Sequence, residues 1–231
     1  MTSSSALDNT DGRTTRWAGH RQHRRREFVD AALQAVAEHG PDVSVEQIAD
    51  KAGVGRTRLY KYFIDAADLH TAVGDRVSDL IHTELAPVWH PQGTPAQMIR
   101  TAIDAHIGWL SDHGNLHRYL TSHALTSTHG RSAVNDVKTA IAEHLTRLFR
   151  AYSQAVRADT ATAAEPLAFG IVGLVETSTT RWLENPGGMP RRELTDLLTD
   201  WVWRLLDDTL RTAGAEVDPH QPLPAPQLPE R

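Results

Sequence analysis

Apolar residues recur at helical spacing in one segment after another, and no stretch alternates as a half-buried strand does. The clearest run is Leu194, Leu197, Leu198, Trp201, Val202, Leu205, Leu206 and Leu210, which follows the i, i+3, i+4, i+7 template throughout. That periodicity confines the chain to an all-α fold of about nine helices. At 231 residues the chain can bury a sizeable core.

Local punctuation places most of the helix ends. Phe28, Ala32, Ala35 and Val36 mark a first helix, stopped at Gly40-Pro41. Ser44-Val45-Glu46-Gln47 reads as a capping box, in which hydroxyl and carboxamide each satisfy an amide of the other residue. It opens a short second helix ending at Gly53, and a third runs from about Gly55 to Phe63. Asp65 caps a fourth, with Leu69, Val73, Val77, Leu80, Ile81 and Leu85 on one face and Pro87 at its end. Thr94-Pro95-Ala96-Gln97 joins an N-cap, a first-turn proline and a capping-box glutamine, so a fifth helix starts there and runs to about Asp112. Further helices are expected around 116–123, 134–152, 163–184 and 191–213. From Gly214 onward five prolines in eighteen residues predict a disordered tail.

The charge is unevenly divided. The formal total is −5, yet residues 13–63 carry ten basic and six acidic side chains, and residues 64–231 a net −7. Arg13, Arg16, Arg21, Arg24, Arg25 and Arg26, with His20 and His23 between them, read as a flexible basic arm over residues 1–23 and its border, suited to a phosphate backbone or minor groove.

The segment after the arm is the most specific motif. Residues 45–63 read VEQIADKAGVGRTRLYKYF. Ile48 and Leu59 are spaced to pack two helices together, Ala49 is small at their approach, Gly53 supplies the positive φ of the turn, and Val54 closes the corner. This is the pattern of a helix-turn-helix, whose second helix enters the major groove of DNA. Its outward residues are Arg56, Thr57, Arg58, Lys61 and Tyr62.

Ile48-Ala49-x-x-Ala52-Gly53-Val54, then Leu59-Tyr60-Lys61-Tyr62-Phe63 and Leu69, resembles the TetR family of bacterial transcriptional regulators over about residues 24–73. The resemblance implies a helix-turn-helix domain at 24–64 and a helical ligand-binding and dimerisation domain at 65–213. By matched position, Ser44 caps the second helix and can donate to a phosphate, Tyr60 and Tyr62 position phosphates, and Leu59 and Phe63 are structural. Arg56 and Arg58 are candidates for reading guanine, Lys61 for a phosphate, and Arg24 and Arg25 for contacts from the arm. Three positions depart from the family pattern. Gly55 replaces a capping serine, Thr57-Arg58 replaces a small pair, and Ala66 stands where a phosphate-gripping lysine opens the fourth helix.

The same resemblance implies a homodimer through the last two helices, about 163–184 and 191–213, on a palindromic operator. Gly170 and Gly173 permit close approach there; Trp203 lies off the leucine stripe, toward a neighbour or solvent. A small, mostly apolar effector is expected among the fourth to eighth helices, with His106, Trp109, Tyr119, His123, Tyr152 and Glu176 as candidate contacts. The expected function is a ligand-responsive regulator, a repressor by family habit; response to a protein partner, or a helical enzyme, are the alternatives.

Other classes lack their residues. There is no cysteine, so disulfides, thiolate metal sites and thiol nucleophiles are excluded. No nucleophile motif, phosphate loop, HExxH or dinucleotide fingerprint is present, so no catalytic residue or cofactor is expected. His106, His113 and His117 share a helical spacing, but Gly114-Asn115 interrupts it, and no metal is expected. Absence of a secretory leader or a long apolar run leads to the expectation of a cytoplasmic location.

Overall fold

The structure, a computed structural model, describes the chain at residues 8–123 and 133–224, and its side chains at 19–122 and 136–224. Ten α-helices and no strand occur among the described residues. They are α1 (Asp8–His39), α2 (Val45–Lys51), α3 (Arg56–Leu59), α4 (Ala66–Glu84), α5 (Ala86–Trp89), α6 (Pro95–Asp112), α7 (Gly114–His123), α8 (Ala133–Ala155), α9 (Ala164–Glu184) and α10 (Arg191–Thr212). None is long and apolar enough to cross a membrane. The chain divides into two compact units, Met1–Val77 with Asn115–Ala133, and Ser78–Gly114 with Val134–Arg231.

In the first unit, α1, α2 and α3 close over Phe28, Ala32, Val36, Ile48, Leu59 and Phe63, all buried. Both halves of the Ser44 capping box form: the Gln47 amide donates to the Ser44 hydroxyl, and the Ser44 amide to the Gln47 side chain. Of the flexible arm expected over 1–23, residues 8–23 are helical, since α1 runs from Asp8 onward, and residues 1–7 lie outside the described residues. Nothing between Asp8 and His39 is a proline, arginine is a good helix former, and Asp8 and Asp11 favour a helix amino terminus. The domain limit drawn at residue 64 also shifts. The first 12 residues of α4 belong to this unit, and α7 contributes Asn115, whose side-chain amide donates to the Ala37 carbonyl near the end of α1.

In the second unit, α6, α9 and α10 share a core of Ile103, Ile107, Ile171, Val175, Leu194, Leu198 and Val202. Thr94 and Gln97 form the expected capping box at the start of α6. Pro87 does not end the fourth helix. That helix ends at Glu84, and Pro87 sits in the first turn of α5, where its missing amide costs nothing.

The tail expected to be disordered from residue 214 is a second correction. Ala215 and Val217 are buried with Leu210 and Ala158, and Trp203, Phe149 and Leu223 pack against them. The Ala96 amide, one of the donors left open at the start of α6, reaches the Pro219 carbonyl at 3.0 Å. Prolines forbid a helix here but not packing, which composition cannot register. Ending the chain at Gly214 is expected to cost roughly 2–3 kcal/mol of apolar burial. It should lower the melting temperature by several degrees and shift tryptophan emission to the red as Trp203 is uncovered; an unchanged melting curve would contradict this packing. Residues 225–231, the end of the expected tail, lie outside the described residues.

Candidate nucleic-acid interface

The turn between α2 and α3 is a Schellman closure. Val54 N–H bonds to the Ala49 carbonyl and Gly53 N–H to the Asp50 carbonyl, each at 3.0 Å, with Gly53 at φ +66°. Any side chain at Gly53 would meet the left-handed backbone penalty. Ile48 and Leu59, both fully buried, then lock the two helices together.

The third helix is shorter than expected. Regular α-helix covers only Arg56–Leu59, and tight i to i+3 turns follow: Lys61 N–H to the Arg58 carbonyl at 3.2 Å and Tyr62 N–H to the Leu59 carbonyl at 2.9 Å. Gly55 at the N-cap offers only its carbonyl, as its missing side chain requires.

The basic side chains sort by what they touch. Arg56 is ion-paired with Glu46 and lies over the Tyr60 ring. Arg24 bonds Glu27 at 2.7 Å and lies over Phe28. Arg26, Arg58 and Lys61 are exposed and have no ion-pair partner among the described residues. Thr57 and Ser44 are exposed, and Tyr60 is half-buried. Tyr62 is half-buried with its ring 5.0 Å from Phe28. The side chains of Arg13 and Arg16 lie outside those described.

Arg25 differs from the arm contact it was expected to be. Its Nη1 donates to the Tyr62 carbonyl at 2.8 Å and to Asp68 at 3.0 Å, Nη2 to Asp68 at 2.5 Å, and its guanidinium lies 4.3 Å from the centre of Phe63. The bond from Arg25 holds the Asp68 carboxyl below its ordinary range and raises Arg25 in turn. Reasoning from sequence missed Asp68 and Glu46. Arg25 and Asp68 are 43 positions apart, and no local spacing links them. At the start of α4, Asp65 accepts the Asp68 amide at 2.8 Å and Asp68 accepts the Ile64 amide at 2.9 Å. With Ala66 in place of lysine, this terminus presents carboxylates where the family pattern presents a cation.

The expected effector contacts fall in both units. His106 and Trp109 on α6, Tyr152 on α8 and Glu176 on α9 belong to the second unit, whereas Tyr119 is fully buried in the first, hydrogen-bonded to His70. The His123 side chain lies outside those described. Burial raises the Tyr119 and Tyr152 hydroxyls above the usual phenol range. Glu176 is ion-paired with Lys138 at 2.5 Å. A surface recess of about 440 Å³ in the second unit is lined by Arg100, Thr101, Asp104, Arg191 and Arg192, and none of the expected contacts lines it. Trp89 Nε1, Trp109 Nε1, His144 Nε2 and Ser153 Oγ, all in the same unit, are buried without a hydrogen-bond partner among the described residues. Trp89 and His144 lie ring to ring at 5.1 Å, and burial lowers the affinity of His144 for a proton.

A helix-turn-helix with exposed cations beside its second helix, joined to a larger helical body, defines a DNA-binding transcriptional regulator. The model of bacterial regulatory proteins of the tetR family matches residues 28–73, and that of the tetracycline-repressor-like C-terminal domain matches residues 95–205. An uncharacterized HTH-type transcriptional regulator of Mycobacterium tuberculosis, Rv0472c, is 32% identical over 95% of this chain and 93% of its own. The HTH-type transcriptional repressor LfrR of Mycolicibacterium smegmatis is 29% identical over 39% of this chain and 47% of its own. A tetR-family regulator of Streptomyces coelicolor has the same fold at a TM-score of 0.69, with 21% identity, covering 87% of this chain and 92% of the other. The chain belongs to the TetR family of transcriptional regulators. Members bind DNA operators, usually as dimers, and the relatives point to a regulator rather than an enzyme.

Proposed function

We propose that this chain is a repressor that binds a palindromic operator as a homodimer and leaves it when a small, mostly apolar molecule binds its second unit. The observation that carries the DNA reading is the set Arg26, Arg58 and Lys61, exposed without ion-pair partners among the described residues, on the unit that holds the helix-turn-helix. Arg58 reads a base edge, and Lys61, Ser44, Tyr60 and Tyr62 hold phosphates. Pairing through α9 and α10 is supported by their exposed apolar residues Phe169, Leu183, Trp201 and Leu205. Gly170 and Gly173 face open space, leaving room for a second backbone. An effector site is supported by the unpartnered atoms on Trp89, Trp109, His144 and Ser153, since buried polar groups ordinarily find partners. Repression follows the named role of one relative, LfrR.

The test is a gel-shift titration with the DNA upstream of the chain's own gene, at several salt concentrations. The full chain is expected to shift it as a dimer. Deleting residues 1–23 is expected to weaken binding to all sequences alike and to flatten the salt dependence, because the deletion removes arginines of α1. No shift at low salt would overturn the reading. Unchanged binding after the deletion would remove the first 23 residues from the interface.

A further inference from the structure

We propose that Arg25 and Asp68 form a strut that holds the recognition segment at its reading angle, so that both act on operator recognition without touching DNA. The proposal rests on the DNA reading above. A four-residue helix has little rigidity of its own, since nucleating a turn is costly and a single turn gains few bonds. The placement of α3 is therefore set by its two ends. The upstream end is fixed by the Schellman turn at Gly53, and the last helical residue, Leu59, is buried with Ile48 of α2.

The downstream end is fixed by Arg25. One guanidinium joins three pieces of chain: α1, which carries it; the 60–65 turn, through the Tyr62 carbonyl and the face of Phe63; and α4, through a bidentate bond to Asp68. Asp68 in turn accepts the Ile64 amide at 2.9 Å, so the carboxylate clamps the turn from its far side. Both side chains are about two-thirds or more buried, 32% and 24% exposed, and a planar fork on a carboxylate fixes direction as well as distance. A guanidinium so engaged carries no net charge to a phosphate: the pair is neutral, and three of its five donors are spent within the protein.

The strut and a simple phosphate contact predict opposite results for Asp68→Asn. If electrostatic attraction alone mattered, removing a carboxylate near the DNA would tighten binding. A strut predicts weaker operator binding. The experiment measures dissociation constants of the full-length protein for an operator duplex selected from a random pool and for a scrambled duplex, across a salt series. Circular dichroism at the same temperature checks that each variant is folded. Asp68→Asn and Arg25→Ala are each expected to lose about tenfold or more in operator affinity, with scrambled-duplex affinity and salt slope unchanged. The exchanged pair Arg25→Asp with Asp68→Arg is expected to recover part of that preference, which a loss of fold would not allow.

Asp68→Asn binding the operator as tightly as wild type or tighter would overturn the proposal. So would an Arg25→Ala salt slope shallower by about 1.8, the change expected when one phosphate per subunit of a dimer is no longer neutralised. A wild-type protein with no preference for any duplex removes the operator reading itself, and the strut with it. A wild type that discriminates, beside an Asp68→Asn variant that discriminates equally, overturns the strut alone.

Discussion

Replacing Trp201 and Leu205 together with aspartate is expected to make the protein monomeric and to weaken operator binding by about 10²–10⁴-fold, the gain that linking two half-site readers supplies. The two residues lie one turn apart on α10 and are 40% and 44% exposed, beside a core where Leu198 and Val202 are closed. Phe169 on α9 is 42% exposed, one residue before Gly170. Aromatic and leucine side chains left open on two long adjacent helices are unusual for a surface in water and usual for an isologous interface. Both positions are expected to accept aspartate in an isolated subunit because they are open to solvent there. The change should appear as a halved mass in sedimentation with the helical spectrum intact, and a variant that stays dimeric would place the interface elsewhere.

The second large effect concerns Arg58. It is the arginine of α3 left without a partner among the described residues, whereas Arg56 is held by Glu46. A bidentate contact from arginine to guanine is worth about 1–3 kcal/mol of discrimination, and a two-fold dimer makes it twice. Arg58→Ala should therefore relax the operator preference at one symmetric pair of positions and lower specific affinity by roughly tenfold per half-site or more. Lys61→Ala should instead weaken binding to every sequence and shallow the salt slope. Comparing selected sequences from wild type and Arg58→Ala separates the two roles. If Arg58→Ala keeps the same consensus and only flattens the salt slope, Arg58 is a phosphate contact.

Much of the fold was legible in the sequence because its signals are local. Ser44 with Gln47 and Thr94 with Gln97 mark helix starts within four residues, and Gly53 marks a turn that only a left-handed backbone can make. The leucine stripe of residues 194–210 marked the helix by period, but period did not tell buried Leu194, Leu198, Val202 and Leu210 from exposed Trp201 and Leu205. Trp203, off that stripe, faces a neighbour, namely the tail residues that composition assigned to disorder.

What stayed hidden depends on partners far apart in sequence. The backward run of α1 to Asp8 was obscured because arginine density reads equally as a solvated arm or as a helix face. Arg25 looked like one more cation of that arm until Asp68, on α4, was seen to take it. The basic excess over residues 13–63 likewise overstated the free positive charge, since Arg25 is neutralised by Asp68, a carboxylate outside that stretch. The expected effector contacts rest on the resemblance, which implies a site among the fourth to eighth helices, and a resemblance of that kind does not tell which compact unit each side chain enters. Tyr119 enters the first unit, where it bonds His70, and Trp89 and His144 of the second unit were not drawn at all.

A symmetric pair of helix-turn-helix units is expected to read one DNA sequence. Selection from a pool of randomised duplexes by the full-length protein, at moderate salt, tests it most directly. The expected result is enrichment of an inverted repeat whose half-sites are spaced by about one helical turn or a multiple of it, bound with the stoichiometry of a dimer. Enrichment of no sequence, or of one without two-fold symmetry, would contradict it.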